Sequence, residues 1–138
     1  MSTLKTTTVE TTFIQHASAS ASNIELSADG TVINNVVINE ESGTTYTLVL
    51  SDNGKLVKLT SASATTVTVP PNSSVNFPVG AIIAIVQYGA GTVTIEGGSG
   101  VTVNSTAGSA SASFTAQYAG GQLYQIATDE WLLIGSVE

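Results

Sequence analysis

The chain holds 138 residues and a formal net charge of −7, yet only 9% of it is charged: ten carboxylates face Lys5, Lys55 and Lys58, and there is no arginine. A nucleic acid needs a cluster of cations to neutralise its phosphates, and an anionic membrane surface attracts the same cations, so neither is an expected partner. With no cysteine there is no disulfide framework or thiolate metal site, and the length suits one domain with an appended arm.

Met1 to Thr12 is rich in Thr and lacks the basic and apolar regions of a secretory signal peptide. The stretch "FIQHASASASNIELSADGTVI", residues 13–33, then brings the only histidine, His16, into a run of serines. Up to residue 42 the large apolar residues are few: Phe13, Ile14, Ile24, Leu26 and those of "VINNVVIN" at 32–39. Such a segment buries too little to fold by itself, and its low charge is unlike that of a solvated disordered tail. The alternation around Asp29-Gly30 reads as two short strands and a turn that add to another chain. Residues 1–42 are therefore expected to be an extended N-terminal arm for assembly or attachment. Its contacts would come from Phe13, Ile14, His16, Ile24, Leu26, Val32 and Ile33.

From residue 43 onward the pattern has period two. "TYTLVL" (45–50) sets Tyr46, Leu48 and Leu50 on one face, and "KLVKLT" (55–60) resumes after "SDNG"; Asn53-Gly54 between two alternating runs reads as a hairpin. "TTVTV" (65–69) ends at Pro70-Pro71, which cannot continue a central strand. "AIIAIVQY" (81–88) is apolar on both faces, as a strand covered on both sides would be. It is the expected core strand, with Ile83 and Ile85 inward. "TVTIE" (92–96) and "VTVN" (101–104) follow, separated by "GGSG", and the chain closes on "GQLYQIAT" and "WLLIGSV", joined through Thr128-Asp129-Glu130. Trp131 and Leu133 on that last strand read as core or subunit-interface anchors. No window keeps helical spacing, and the longest apolar run, "VGAIIAIV" (79–86), is too short to span a bilayer. The expected fold is all-β: a small antiparallel β-sandwich or barrel over 43–138, with helix content near nil and the arm of 1–42 intertwined in a homotrimer.

The candidate chemistry is thin. His16 near Ser18, Ser20, Ser22 and Asp29 supplies the names of a hydrolytic triad but not its setting, because no G-x-S-x-G elbow exposes a serine on a strained turn. The carboxylates fall mostly in turns, where they accept backbone hydrogen bonds, and no pair stands out for glycoside cleavage. Glu40-Glu41 and Asp129-Glu130 lack the spaced acidic pattern of a calcium loop. The glycine runs open no helix that could cradle a phosphate. No enzyme, metal or cofactor is expected. Tyr118 and Tyr124 are candidates for stacking on a glycan.

From Leu48 onward the chain resembles a β-rich module of tailed-bacteriophage structural proteins, which include tail fibres and small virion proteins. The marks are the turn before "GKLVKL", then "TVTVPPNSSVNFPVG", "VQYGAGTVTI", "GSGVTVNS" and the closing "WLLIG", in that order over about two-thirds of the chain. The arm is similar to phage fibre segments in which "QHASA" (15–19) precedes Asn23, Ile24, Leu26 and Ala28-Asp29-Gly30. The resemblance implies a virion component, a homotrimer with no catalytic residues to carry over. One arm and one β-domain without shaft repeats favour a capsid decoration (cement) protein that binds the major capsid protein on the outer capsid surface. The alternative is a short tail fibre or receptor-binding tip that recognises a host surface glycan.

Overall fold

The computed structural model describes residues 24–26 and 32–138, with backbone alone for 24–26 and 32–34. Phe13, Ile14, His16 and the Asp29-Gly30 turn lie outside the described residues. The chain divides into two units, 1–35 and 36–138. In the first, β1 (Ile24–Leu26) and β2 (Val32–Asn34) pair antiparallel, with Leu26 opposite Val32 and Ile24 opposite Asn34.

The regular structure of the second unit is strand apart from one 3-10 turn at Leu50–Asp52. Its strands are β3 (Ile38–Glu41), β4 (Thr45–Thr47), β5 (Leu56–Leu59), β6 (Thr65–Val69), β7 (Ile82–Gln87), β8 (Val93–Gly97), β9 (Thr102–Asn104), β10 (Ser111–Ser113), β11 (Gly120–Ala127) and β12 (Glu130–Gly135). They form a six-stranded sheet in the order β3-β5-β7-β11-β12-β9 and a four-stranded sheet in the order β10-β8-β6-β4. Both sheets are mixed, which corrects the antiparallel expectation. Pairs β3·β5, β5·β7, β4·β6, β6·β8 and β9·β12 are parallel, and β7·β11, β11·β12 and β8·β10 are antiparallel. The cause is the winding: from β3 to β8 each successive strand goes to the other sheet, and two consecutive strands of one sheet run the same way. A strand in the opposite sheet thus does the work that a crossover helix does in other parallel sheets.

The Asn53-Gly54 turn changes meaning accordingly. Gly54 takes φ +82, but the turn carries the chain from β4 in one sheet to β5 in the other instead of closing a hairpin. A buried carboxylate directs this passage. Asp52 has 0% exposure and accepts three hydrogen bonds: from Tyr46 Oη at 2.8 Å, Asn39 Nδ2 at 3.0 Å and the Val49 N–H at 2.9 Å. Asn39 is on the edge strand of one sheet and Tyr46 on the edge strand of the other, so one side chain ties both edges to the turn between them. Leu50, expected beside Tyr46 and Leu48, is turned outward by the 3-10 turn, while Leu48 is buried.

The corners of successive windings also stack. Gly91 N–H donates to Ser61 O and Thr65 N–H to Thr92 O, and a Cβ on Gly91 would lie 2.0 Å from Ser63 O. A second polar clasp holds the long loop after Pro70-Pro71. The Asn72 N–H donates to Asp129 Oδ1 at 2.6 Å, and Gln125 Nε2 donates to Asn72 Oδ1 at 2.7 Å.

The inner faces of both sheets share one apolar cluster. Val57, Ile83, Ile85, Leu123, Trp131, Leu133 and Val103 come from the six-stranded sheet, and Val67, Val69, Val93 and Ile95 from the four-stranded one. Trp131 meets Phe77 edge to face, with ring centroids 5.3 Å apart. Strand β7 is central, as expected, but only one of its faces is covered: Ile83, Ile85 and Gln87 are buried, while Ile82 is exposed and Ala84 and Val86 are half-buried. An apolar run shows that a face avoids water, not that the same chain covers it.

Two outcomes test the clasp. Asp52→Ala orphans three donors, and urea unfolding should show a loss of about 3 kcal/mol or more. Burial first, then the hydrogen bond to Asp52 and the charges of Asp52 and Glu41, push the Tyr46 phenol above its usual value. The folded state therefore favours the neutral phenol, so this contribution is whole below pH about 10 and is lost as the pH climbs above it. Tyr46→Phe should lower stability at neutral pH and flatten the alkaline fall; an unchanged alkaline limb contradicts the assignment.

Candidate interaction surface

The two outward faces of the 36–138 unit have opposite chemistry. On the four-stranded sheet the register aligns Thr45, Thr66, Thr94 and Ser113 in one row and Thr47, Thr68, Glu96 and Ser111 in the next. Thr94 Oγ1 and Ser113 Oγ are 2.8 Å apart. This face is clothed in hydroxyls that water satisfies.

On the six-stranded sheet the same logic sets Ile38, Leu56, Ala84, Gln122 and Ile134 side by side. A second row holds Ile82, Tyr124, Leu132 and Asn104. Ile38 and Ile134 are each 58% exposed and Ile82 43%. A third row carries Glu40, Lys58 and Val86, and its charges cancel in a Lys58 Nζ to Glu40 Oε2 ion pair of 2.8 Å. The face is broad, apolar and close to neutral on an acidic chain. Large apolar side chains in adjacent rows, rather than singly, are what marks a surface awaiting a partner.

At the far edge, β9 pairs with β12 only over Glu130–Leu132, although β12 continues to Gly135. Beside the unpaired part lies an open groove of about 370 Å³, lined by Asn104, Ser105, Thr106 and Leu132 to Gly135.

The residues singled out from sequence separate into three groups. Ile83, Ile85, Trp131 and Leu133 are buried in the core, and of these only Leu133 borders the edge groove. Ile24, Leu26, Val32 and Ile33 occupy β1 and β2, and Phe13, Ile14 and His16 lie outside the described residues. Tyr124 is on the apolar face, its hydroxyl donating to Gln122. Tyr118 is elsewhere, against Tyr88. The acidic pairs are split: Glu40 and Glu41 alternate across β3, Glu130 accepts from Asn104, and Asp129 from Asn72. Among the described residues no three carboxylate or imidazole groups come together. Ile38, Leu56, Ile82 and Ile134 are not among the residues singled out from sequence, although the parity of Ile82 with Ala84 and Val86 points outward as plainly as that of Ile83 and Ile85 points inward. No protein-family model matches the chain, and no curated protein matches it either.

Ile82→Lys with Ile134→Lys should leave the melting temperature within a few degrees, since both residues are outward. Buried against a copy they are each worth about 1.5–3 kcal/mol, so sedimentation should show self-association weakened about 100-fold. Thr45→Lys with Thr47→Lys on the hydroxyl face should change neither. Equal effects from the two pairs would contradict the assignment of the face.

Proposed function

We propose that this protein is a non-enzymatic structural subunit of a tailed-bacteriophage particle, a decoration (cement) protein that assembles as a homotrimer and binds the outer capsid surface. The 36–138 unit is a two-layer β-sandwich; of the arm expected over 1–42, Ile38–Glu41 is a strand of its larger sheet, and the residues before 36 serve as an attachment arm. The observation that carries this reading is the apolar, charge-cancelled outer face of the six-stranded sheet opposite a hydroxyl-clothed one. A catalyst concentrates its polar groups in a cleft; here they are spent on tying loops and edges together. A subunit whose task is to hold neighbours needs a dry face toward them and a wet face toward solvent. The order of "TVTVPPNSSVNFPVG", "VQYGAGTVTI", "GSGVTVNS" and "WLLIG" supports a virion role through its resemblance to the phage module.

The mechanism is mechanical. Trimerisation buries the rows through Ile38, Ile82 and Ile134, and the trimer bridges adjacent copies of the capsid protein, so that each must release several contacts before the shell opens. Interfaces of this kind gain holding power from area and complementarity, without a reaction step.

Cryo-electron microscopy of the particle tests it: density for this chain as threefold clusters on the capsid exterior is expected, and density confined to the tail contradicts it. Removal of residues 1–35 should lower capsid occupancy while leaving the melting of the 36–138 unit nearly unchanged. Full occupancy by the shortened chain would contradict the role of the arm.

A further inference from the structure

A pair of aromatic side chains is used neither by the core nor by the rows of the outer face. Tyr88 follows β7 directly, and Tyr118 lies in the turn before β11; their rings meet edge to face, centroids 5.5 Å apart and planes at 76°. Lys58 Nζ sits 4.2 Å from the centre of the Tyr88 ring while it pairs with Glu40. Gln117 Nε2 donates to the Tyr88 carbonyl at 3.0 Å. Both rings are exposed, Tyr118 at 67%.

The backbone under Tyr118 sharpens the question. Its φ is +68, a left-handed conformation held by its N–H donating to Gln87 O at 2.6 Å. Gly or Asn would take that position with less strain than a bulky aromatic. The turn needs only the backbone, and the Tyr118 ring adds little to the core. A strained residue that leaves its side chain in solvent points to a task outside the fold.

We propose that Tyr88 and Tyr118, with Lys58, Glu40 and Gln117 around them, form a binding site for a neutral carbohydrate. A sugar ring presents an apolar face of C–H groups and a rim of hydroxyls. The open face of Tyr118 offers the flat apolar partner, and Tyr88, nearly perpendicular, offers a wall. The Glu40 carboxylate, the Lys58 ammonium and the Gln117 carbonyl oxygen supply acceptors and donors for the rim. Because Glu40 and Lys58 cancel, the site offers no net charge to an ionic ligand, and the acidic chain repels anions. A neutral, hydroxyl-rich ligand is what remains.

Saturation-transfer NMR on the full chain tests this with maltohexaose, N-acetylchitotetraose and mannotetraose as probes. Transfer to at least one sugar is expected, with affinity falling at least tenfold in both Tyr118→Gly and Tyr88→Leu. Tyr118→Gly relieves the positive φ, so its melting temperature should equal or exceed that of the parent. No transfer to any of the three sugars, or undiminished transfer in Tyr118→Gly, overturns the proposal. So does transfer to a proline-rich peptide in place of the sugars, since extended proline segments also dock on aromatic surfaces. The site borders the face assigned to assembly through Glu40 and Lys58, and an unchanged solution mass for Tyr118→Gly keeps the two readings apart.

Discussion

The Asp52 carboxylate, cut off from water, governs how this chain is wound. It collects the Tyr46 hydroxyl, the Asn39 amide and the Val49 N–H, and those three donors belong to two sheets and the turn between them. A buried charge is tolerable only when its oxygens are satisfied. The chain is therefore held to a geometry that brings all three donors in, and that geometry sends β5 into the other sheet instead of back along β4. The later passages repeat it, with β6 parallel to β4, β7 parallel to β5 and β8 parallel to β6. The corners then stack backbone on backbone, which is why Gly91 stands where Ser63 O approaches.

Winding in this way makes two outer faces from one repeating alternation, and the residues at the outward positions decide what each is for. One sheet places Thr and Ser there, the other Ile, Leu, Val and Tyr. With 9% charged residues, little electrostatic repulsion or hydration opposes contact through the apolar face, and its one ion pair is internal. Association costs translational and rotational freedom. Several Ile and Leu side chains, each contributing about 1.5–3 kcal/mol on full burial, are enough to offset that cost only if they act together on one surface, as the cross-strand rows arrange.

Much of this was legible in the residues. Period-two alternation with β-branched residues marks the strands, and "AIIAIVQY" holds the strand at the centre of the larger sheet. Pairing direction was not legible, because alternation is the same in parallel and antiparallel strands. The Asn-Gly signal misled for a related reason: it reports a turn with φ above zero at Gly54, and whether the next strand returns beside the last depends on Asp52, six residues beyond Tyr46 and thirteen beyond Asn39. The open face was half visible, since Ile82 and Ile134 are outward by parity, but only the register shows that they fall in adjacent rows. The Tyr88–Tyr118 pair joins residues thirty positions apart, and nothing local announces it.

The 36–138 unit buries its inner faces by itself and leaves an apolar outer face, which the proposed assembly would cover with copies of the same chain. Light scattering of the intact protein at micromolar concentration, in moderate salt, measures this most directly. A mass of three chains that persists on dilution is the predicted result. A stable single-chain mass, with the apolar rows open to water, would contradict it.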